Sequence, residues 1–113
     1  MVKRTVERVE FLVDVLITAI EGGIGYWAGI LAYDPDKGTA TIREDETNKT
    51  YDLTIETIAK GIGRVKAKGF VVADSILSWI KEDDRENGGA GTIDAIAADV
   101  IVQAALFGEI VYG

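Results

Sequence analysis

The chain has 113 residues, a formal net charge of −7 at pH 7, and neither Cys nor His. That length suits one domain with a single core, and the missing residue types exclude disulfides, thiolate metal sites, Cys nucleophiles, His-based triads and imidazole general bases. The acidic balance argues against binding a nucleic-acid backbone, which needs clustered Lys and Arg, but it leaves open a surface that imitates nucleic acid or one that keeps the chain in solution.

Thr5 is placed to cap a helix running to about Glu21, in which Val9, Leu12, Val13, Leu16, Ile17 and Ile20 recur at spacings of three and four. Gly22 and Gly23 supply a left-handed stop. Residues 25–33 then read as a strand, with Trp27, Leu31 and Tyr33 on one face and Tyr26, Ala28, Ile30 and Ala32 on the other. Both faces are apolar, which predicts burial on both sides or a face given to a partner. Asp34-Pro35-Asp36-Lys37-Gly38 is a turn. Residues 39–45 return as a second strand with Ala40 and Ile42 inward, and residues 50–53 complete a three-stranded meander.

Thr54 caps a second helix, expected to end near Gly61-Ile62-Gly63. Residues 70–82 form a third, with Val72, Ala73, Ile76, Leu77 and Ile80 inward. Residues 82–91 are charged and glycine-rich, the segment expected to be most mobile. Thr92 caps a fourth helix with Ile93, Ile96, Ala97, Val100, Ile101, Ala104 and Phe107 inward. That helix is apolar nearly all round and should sit centrally. Ile110-Val111-Tyr112 fits a final edge strand. The expected fold is α+β: a three- to four-stranded antiparallel sheet packed against three or four helices, in a single domain over residues 1–113.

A metal site would have to be built from oxygen alone. Asp34, Asp36, Glu44, Asp45, Glu46, Glu82, Asp83 and Asp84 do not follow the calcium-loop spacing, so neither metal nor cofactor is expected. The stretch after Met1-Val2-Lys3-Arg4 is interrupted by Glu7, Glu10 and Asp14, unlike a signal peptide. The apolar run 93–112 contains Asp94, Asp99 and Glu109, unlike a membrane span. No membrane partner is expected.

Glu21-Gly22-Gly23-Ile24-Gly25-Tyr26-Trp27 is the most distinctive stretch. Glycines permit close backbone approach, and Tyr and Trp offer flat apolar faces with polar tips. The combination suits the wall of a pocket for a flat ligand, or a close-packed subunit contact. Gly61-Ile62-Gly63-Arg64 places flexible backbone beside a cation, as a phosphate site or simply as a helix end. Asp99 and Gln103, four apart on an apolar helix, need partners: a structural hydrogen bond, or a ligand or interface contact. Glu21 and Asp99 are a conceivable carboxylate pair, but nothing in the sequence positions them at a reaction centre, so no catalytic residue is assigned. Trp79 is expected to be partly buried near the end of its helix. The hydrophobic fraction of 48% and mean hydropathy of +0.15 are high for a chain this small, and they predict a homo-oligomer.

The Glu21 to Trp27 stretch, together with Ala98-Asp99-Val100-Ile101-Val102-Gln103-Ala104-Ala105-Leu106-Phe107-Gly108-Glu109, resembles a widespread family of small bacteriophage proteins. Its pattern is a helix ending in Glu-Gly-Gly, a Tyr-Trp pair, and a closing Ala-Asp-Val plus Leu-Phe-Gly-Glu. The resemblance spans nearly the whole chain and is specific at its two ends. It implies a non-enzymatic counter-defence factor acting in the host cytoplasm. One such class consists of sponges that bind cyclic nucleotide signals of host immunity, usually between subunits. On this reading Gly22, Gly23, Gly25, Tyr26, Trp27, Arg64, Asp99 and Gln103 hold a nucleotide-derived small molecule. Tyr26 and Trp27 stack on a base, and Arg64 pairs with phosphate. The alternatives are an acidic protein-binding inhibitor that imitates nucleic acid through Glu44-Asp45-Glu46 and Glu82-Asp83-Asp84, and an assembly module with no small ligand.

Overall fold

The computed structural model describes residues 4–88 and 93–113. Helix α1 (Val6–Thr18) starts where Thr5 Oγ1 accepts the Arg8 amide at 3.1 Å. Phe11, Leu12, Val15 and Leu16 form its buried stripe. The helix does not stop at the glycines. It widens into a π-turn (Ala19–Gly23), and neither Gly22 nor Gly23 takes the left-handed conformation expected of them. Gly23 is there for closeness instead: a Cβ on it would stand 2.8 Å from the Ala95 carbonyl oxygen.

Strands β1 (Ala28–Asp34), β2 (Thr39–Glu44) and β3 (Thr50–Leu53) form an antiparallel sheet in the order β1-β2-β3. The first strand starts at Ala28 because Trp27 and Ala28 still bond back to the Ile24 carbonyl. Asp34 Oδ1 accepts the amides of Asp36 and Lys37, fixing the turn into β2. The β1–β2 register shifts between Ile30 and Ala32. This bulge puts Ile30 on the face of Ile42 and Tyr33 on the face of Ala40, so strict alternation from Trp27 to Tyr33 fails. Ala40, Ile42 and Leu53 turn into the core, but Ile30, Leu31 and Ala32 are exposed on the edge strand. Burial on both faces of β1 is therefore not met within one chain.

Helix α2 (Ile55–Lys66) begins with a reciprocal cap between Thr54 and Thr57. It runs straight through Gly61-Ile62-Gly63, which is neither a loop nor a helix end. The reason lies in α4 (Ala95–Phe107): a Cβ on Gly61 would sit 2.1 Å from the Ile101 carbonyl oxygen, so glycine lets the two helices touch backbone to backbone. Helix α3 (Asp74–Glu86) starts four residues later than its apolar pattern suggests and absorbs the first half of the expected charged loop. Ile80 is buried, Ile76 and Leu77 are half-buried, and Ala73 is exposed. Residues 89–92, including the expected cap Thr92, lie outside the described residues. Asp94 caps α4 by accepting the Ala97 amide at 2.9 Å.

Helix α4 is buried continuously from Ala97 to Ala105 and is the axis of the core, as its composition requires. Ile96, expected inward, is 60% exposed. Residues 110–112 form no strand. No described helix is long and apolar enough to cross a membrane.

Candidate functional site

The turn carrying Tyr26 and Trp27 meets helix α4 at Asp99. Its side chain lies on α4 in an apolar surround, 7% exposed, and accepts three hydrogen bonds. Tyr26 Oη donates to Oδ2 at 2.5 Å, and Trp27 Nε1 donates to Oδ1 at 2.8 Å. Gln103 Nε2, one helical turn on, donates to Oδ1 at 2.9 Å. Burial and the bond to Asp99 push the Tyr26 hydroxyl up to about 12. The π-turn and the tight turn after it are what bring Tyr26 and Trp27 onto α4, and Gly23 permits that approach.

Gln103 is fully buried and does a second job. Its Oε1 accepts the amides of Val111 and Tyr112, each at 2.8 Å, and its Nε2 donates to the Tyr112 carbonyl at 3.0 Å. The side-chain amide stands in for a neighbouring strand, so residues 110–113 are held extended without joining the sheet. The Tyr112 ring stacks on Trp27, with centroids 5.3 Å apart and planes 8° from parallel. Phe107 meets Trp27 edge-on at 5.5 Å. The Tyr112 hydroxyl donates to Glu44 Oε2, and Thr47 and Tyr51 donate to Glu44 Oε1 at 2.7 and 3.3 Å. These hydroxyls, Tyr112 first, hold the Glu44 carboxyl below its usual range, and Glu44 in turn raises the Tyr112 hydroxyl.

Beside this knot lies a cleft of about 380 Å³. Gly22 and Gly23 form one wall, and Ala95, Ile96, Asp99 and Val100 of α4 form another. Ile76 of α3, Tyr26 and the strap residues Ile110, Tyr112 and Gly113 close it. The volume is in the range of small-molecule sites. A wider hollow of about 430 Å³ lies over the sheet by Tyr33, Thr39 and Asp52, but none of the Gly-Gly…Tyr-Trp residues reaches it.

Of the eight residues predicted to hold a ligand, Gly22, Gly23, Tyr26 and Asp99 line the cleft. Gly25 is exposed, and the space where its Cβ would stand is open. Trp27 is 2% exposed, and the face expected to stack on a base is taken by Tyr112. Gln103 lies behind the cleft and holds its wall. Arg64 does not line it: its guanidinium donates to the carbonyls of Ala104 and Ala105 at 3.0 and 2.7 Å, neutralising the last turn of α4. Glu21 instead accepts from Tyr33 Oη at 2.7 Å. Sequence reasoning missed Tyr112 and Glu44, read as a strand and as part of an acidic patch. The pairing of Asp99 with Gln103 on an apolar helix was the one local signal of the knot.

The expected acidic patches are partly spent internally. Glu44 and Asp83 are buried, and Asp83 Oδ2 accepts the Ile93 amide at 2.7 Å. Asp84 pairs with Arg8 and with Lys66, each at 2.5 Å. Trp79 is 39% exposed and sits in the middle of α3, so it is more exposed and farther from a helix end than expected. No family model matches the chain, and no curated protein or solved structure matches it.

Proposed function

We propose that this protein captures a small nucleotide-derived molecule without transforming it, in the manner of a bacteriophage factor that withholds an immune signal, such as a cyclic nucleotide, from its effector in the host cytoplasm. The observation that carries the reading is the mostly apolar cleft into which Gly22, Gly23, Tyr26 and Asp99 converge. These residues come from the two segments on which the resemblance to small phage proteins rests. The base enters the cleft and lies against the Tyr26 ring, which is 58% exposed. Trp27 serves as the support that orients Tyr26 and Asp99. Arg64 has no part in this version of the site, because its guanidinium caps α4.

Self-association belongs to the same proposal. Ile30 and Leu31 are 40% and 50% exposed on edge strand β1, where a second copy would cover them. Imitation of nucleic acid is the weaker reading, since Glu44, Asp83 and Asp84 serve the fold.

Mass spectrometry of small molecules released by heating the protein, purified from phage-infected cells, tests the proposal. A base-containing molecule near one per chain or one per dimer is expected. A protein purified from infected cells that releases nothing, and whose Tyr26 resonances do not shift with any nucleotide, would overturn it.

A further inference from the structure

We infer that the cleft selects a flat ring bearing an exocyclic amino group, and that phosphate stays outside it; this rests on the capture function proposed above. Among the described residues, no Lys or Arg lines the cleft. Asp99 is its one carboxylate side chain among the described residues, and a carboxylate offers about four acceptor positions. Oδ1 takes two donors, from Trp27 and Gln103, while Oδ2 takes only Tyr26. One acceptor position is therefore left, on Oδ2. Tyr26 gives its proton to Asp99 and receives a long bond from Gln103 Nε2 at 3.4 Å, so toward a ligand its oxygen offers one remaining lone pair. The Tyr112 hydroxyl is turned away to Glu44.

The polar side chains of the cleft thus ask for hydrogen-bond donors and provide none. A phosphate brings only acceptors and negative charge, next to Asp99 and in a chain of net charge −7. An amino group brings N–H donors to Asp99 Oδ2 and Tyr26 Oη, which lie 2.5 Å apart and can share one donor group. The exposed Tyr26 ring and the apolar walls accept a flat body. Adenine, guanine and cytosine carry such an amino group; hypoxanthine and uracil present a carbonyl oxygen or hydrogen in its place. A carbonyl there would face two acceptors with no proton between ligand and protein, which costs a buried polar site its hydrogen bond.

The test is calorimetric titration of the full chain with adenosine, guanosine, cytidine, inosine and uridine, then with the mono- and diphosphates of the tightest binder, and with aniline, uncharged at neutral pH, as a bare aryl amine. We expect at least one amino nucleoside to bind at least about tenfold more tightly than its oxo counterpart, the worth of one hydrogen bond. Added phosphates should not tighten binding. Asp99→Asn, which exchanges an acceptor for a donor at the same size, should erase the preference while a thermal melt confirms the fold. Inosine and uridine binding as tightly as their amino counterparts, or affinity that climbs with each phosphate, would overturn the inference and leave nucleotide capture standing. Aniline binding that Asp99→Asn abolishes, with no nucleoside or nucleotide bound, would uphold the amino-group selectivity and remove the nucleotide. No binding by any amine-bearing probe would remove the selectivity outright.

Discussion

Asp99 gathers donors from residues more than seventy positions away in sequence, Tyr26 and Trp27, and from its helical neighbour Gln103. A buried carboxylate is stable there only while those donors are present. Trp27→Phe keeps the ring but removes one of them, and should cost about 2 kcal/mol in chemical denaturation. A change below about 0.5 kcal/mol would mean that the indole N–H is not part of the knot. The tyrosines give a pH signature. Tyr26 and Tyr33 are raised from 10.0 to about 12 in the folded chain, by burial first and then by Asp99 and Glu21 respectively. The unfolded chain releases these protons near the ordinary value, so the folded state binds more protons in between. Their contribution to stability is full below pH 10 and lost as pH rises through about 12. Denaturation midpoints should fall over that window, and Tyr26→Phe should flatten part of the fall. A midpoint constant across it would contradict the hydrogen bonds assigned to both hydroxyls.

Among the elements, the two glycines of α2 make opposite predictions two residues apart, on opposite faces of the helix. Gly61→Ala forces a methyl group against the Ile101 carbonyl and should destabilise by at least about 2 kcal/mol. Gly63→Ala meets nothing within 4 Å on an exposed helix surface and should stabilise by about 0.5–1 kcal/mol. Equal effects would mean that α2 and α4 are not in backbone contact. Gln103→Ala should cost about 2–4 kcal/mol and free residues 110–113, seen as faster hydrogen exchange at Val111 and Tyr112. These elements also mark what could be read from sequence. The apolar spacing of α1, the turn at Pro35, the meander and the buried α4 were legible because their signals are local. The phase of β1 was not, because the bulge at residue 31 depends on β2. Gly61 looked like an ending because its reason, Ile101, lies forty residues away. Tyr112 looked like a strand because its partners, a Gln side chain and Glu44, carry no sequence pattern. Of the cleft's walls, Gly22, Gly23, Tyr26 and Asp99 could be singled out from residue type, while Gly25 and Arg64 lie elsewhere, because a lone cation beside glycines does not reveal that helix carbonyls claim it.

The whole molecule joins an acidic chain, an exposed apolar edge on β1 and a cleft walled by residues from both halves of the sequence. If β1 is covered by a second copy, light scattering should give a dimer or larger at micromolar concentration. Leu31→Lys should then yield a monomer with little loss of stability, because Leu31 is half exposed in the single chain. A wild-type monomer at high concentration would remove self-association from the proposal without touching the cleft. The central claim is that the cleft, and no other surface, receives the small molecule. Amide chemical-shift mapping by nuclear magnetic resonance tests it most directly, using the molecule released by heating or the tightest-binding nucleoside. Shifts should concentrate at Gly22, Gly23, Tyr26, Ala95, Ile96 and Gly113, the residues that wall the cleft. Shifts centred on the sheet hollow at Thr39 and Asp52, or around Arg64, with those amides unmoved, would contradict the account.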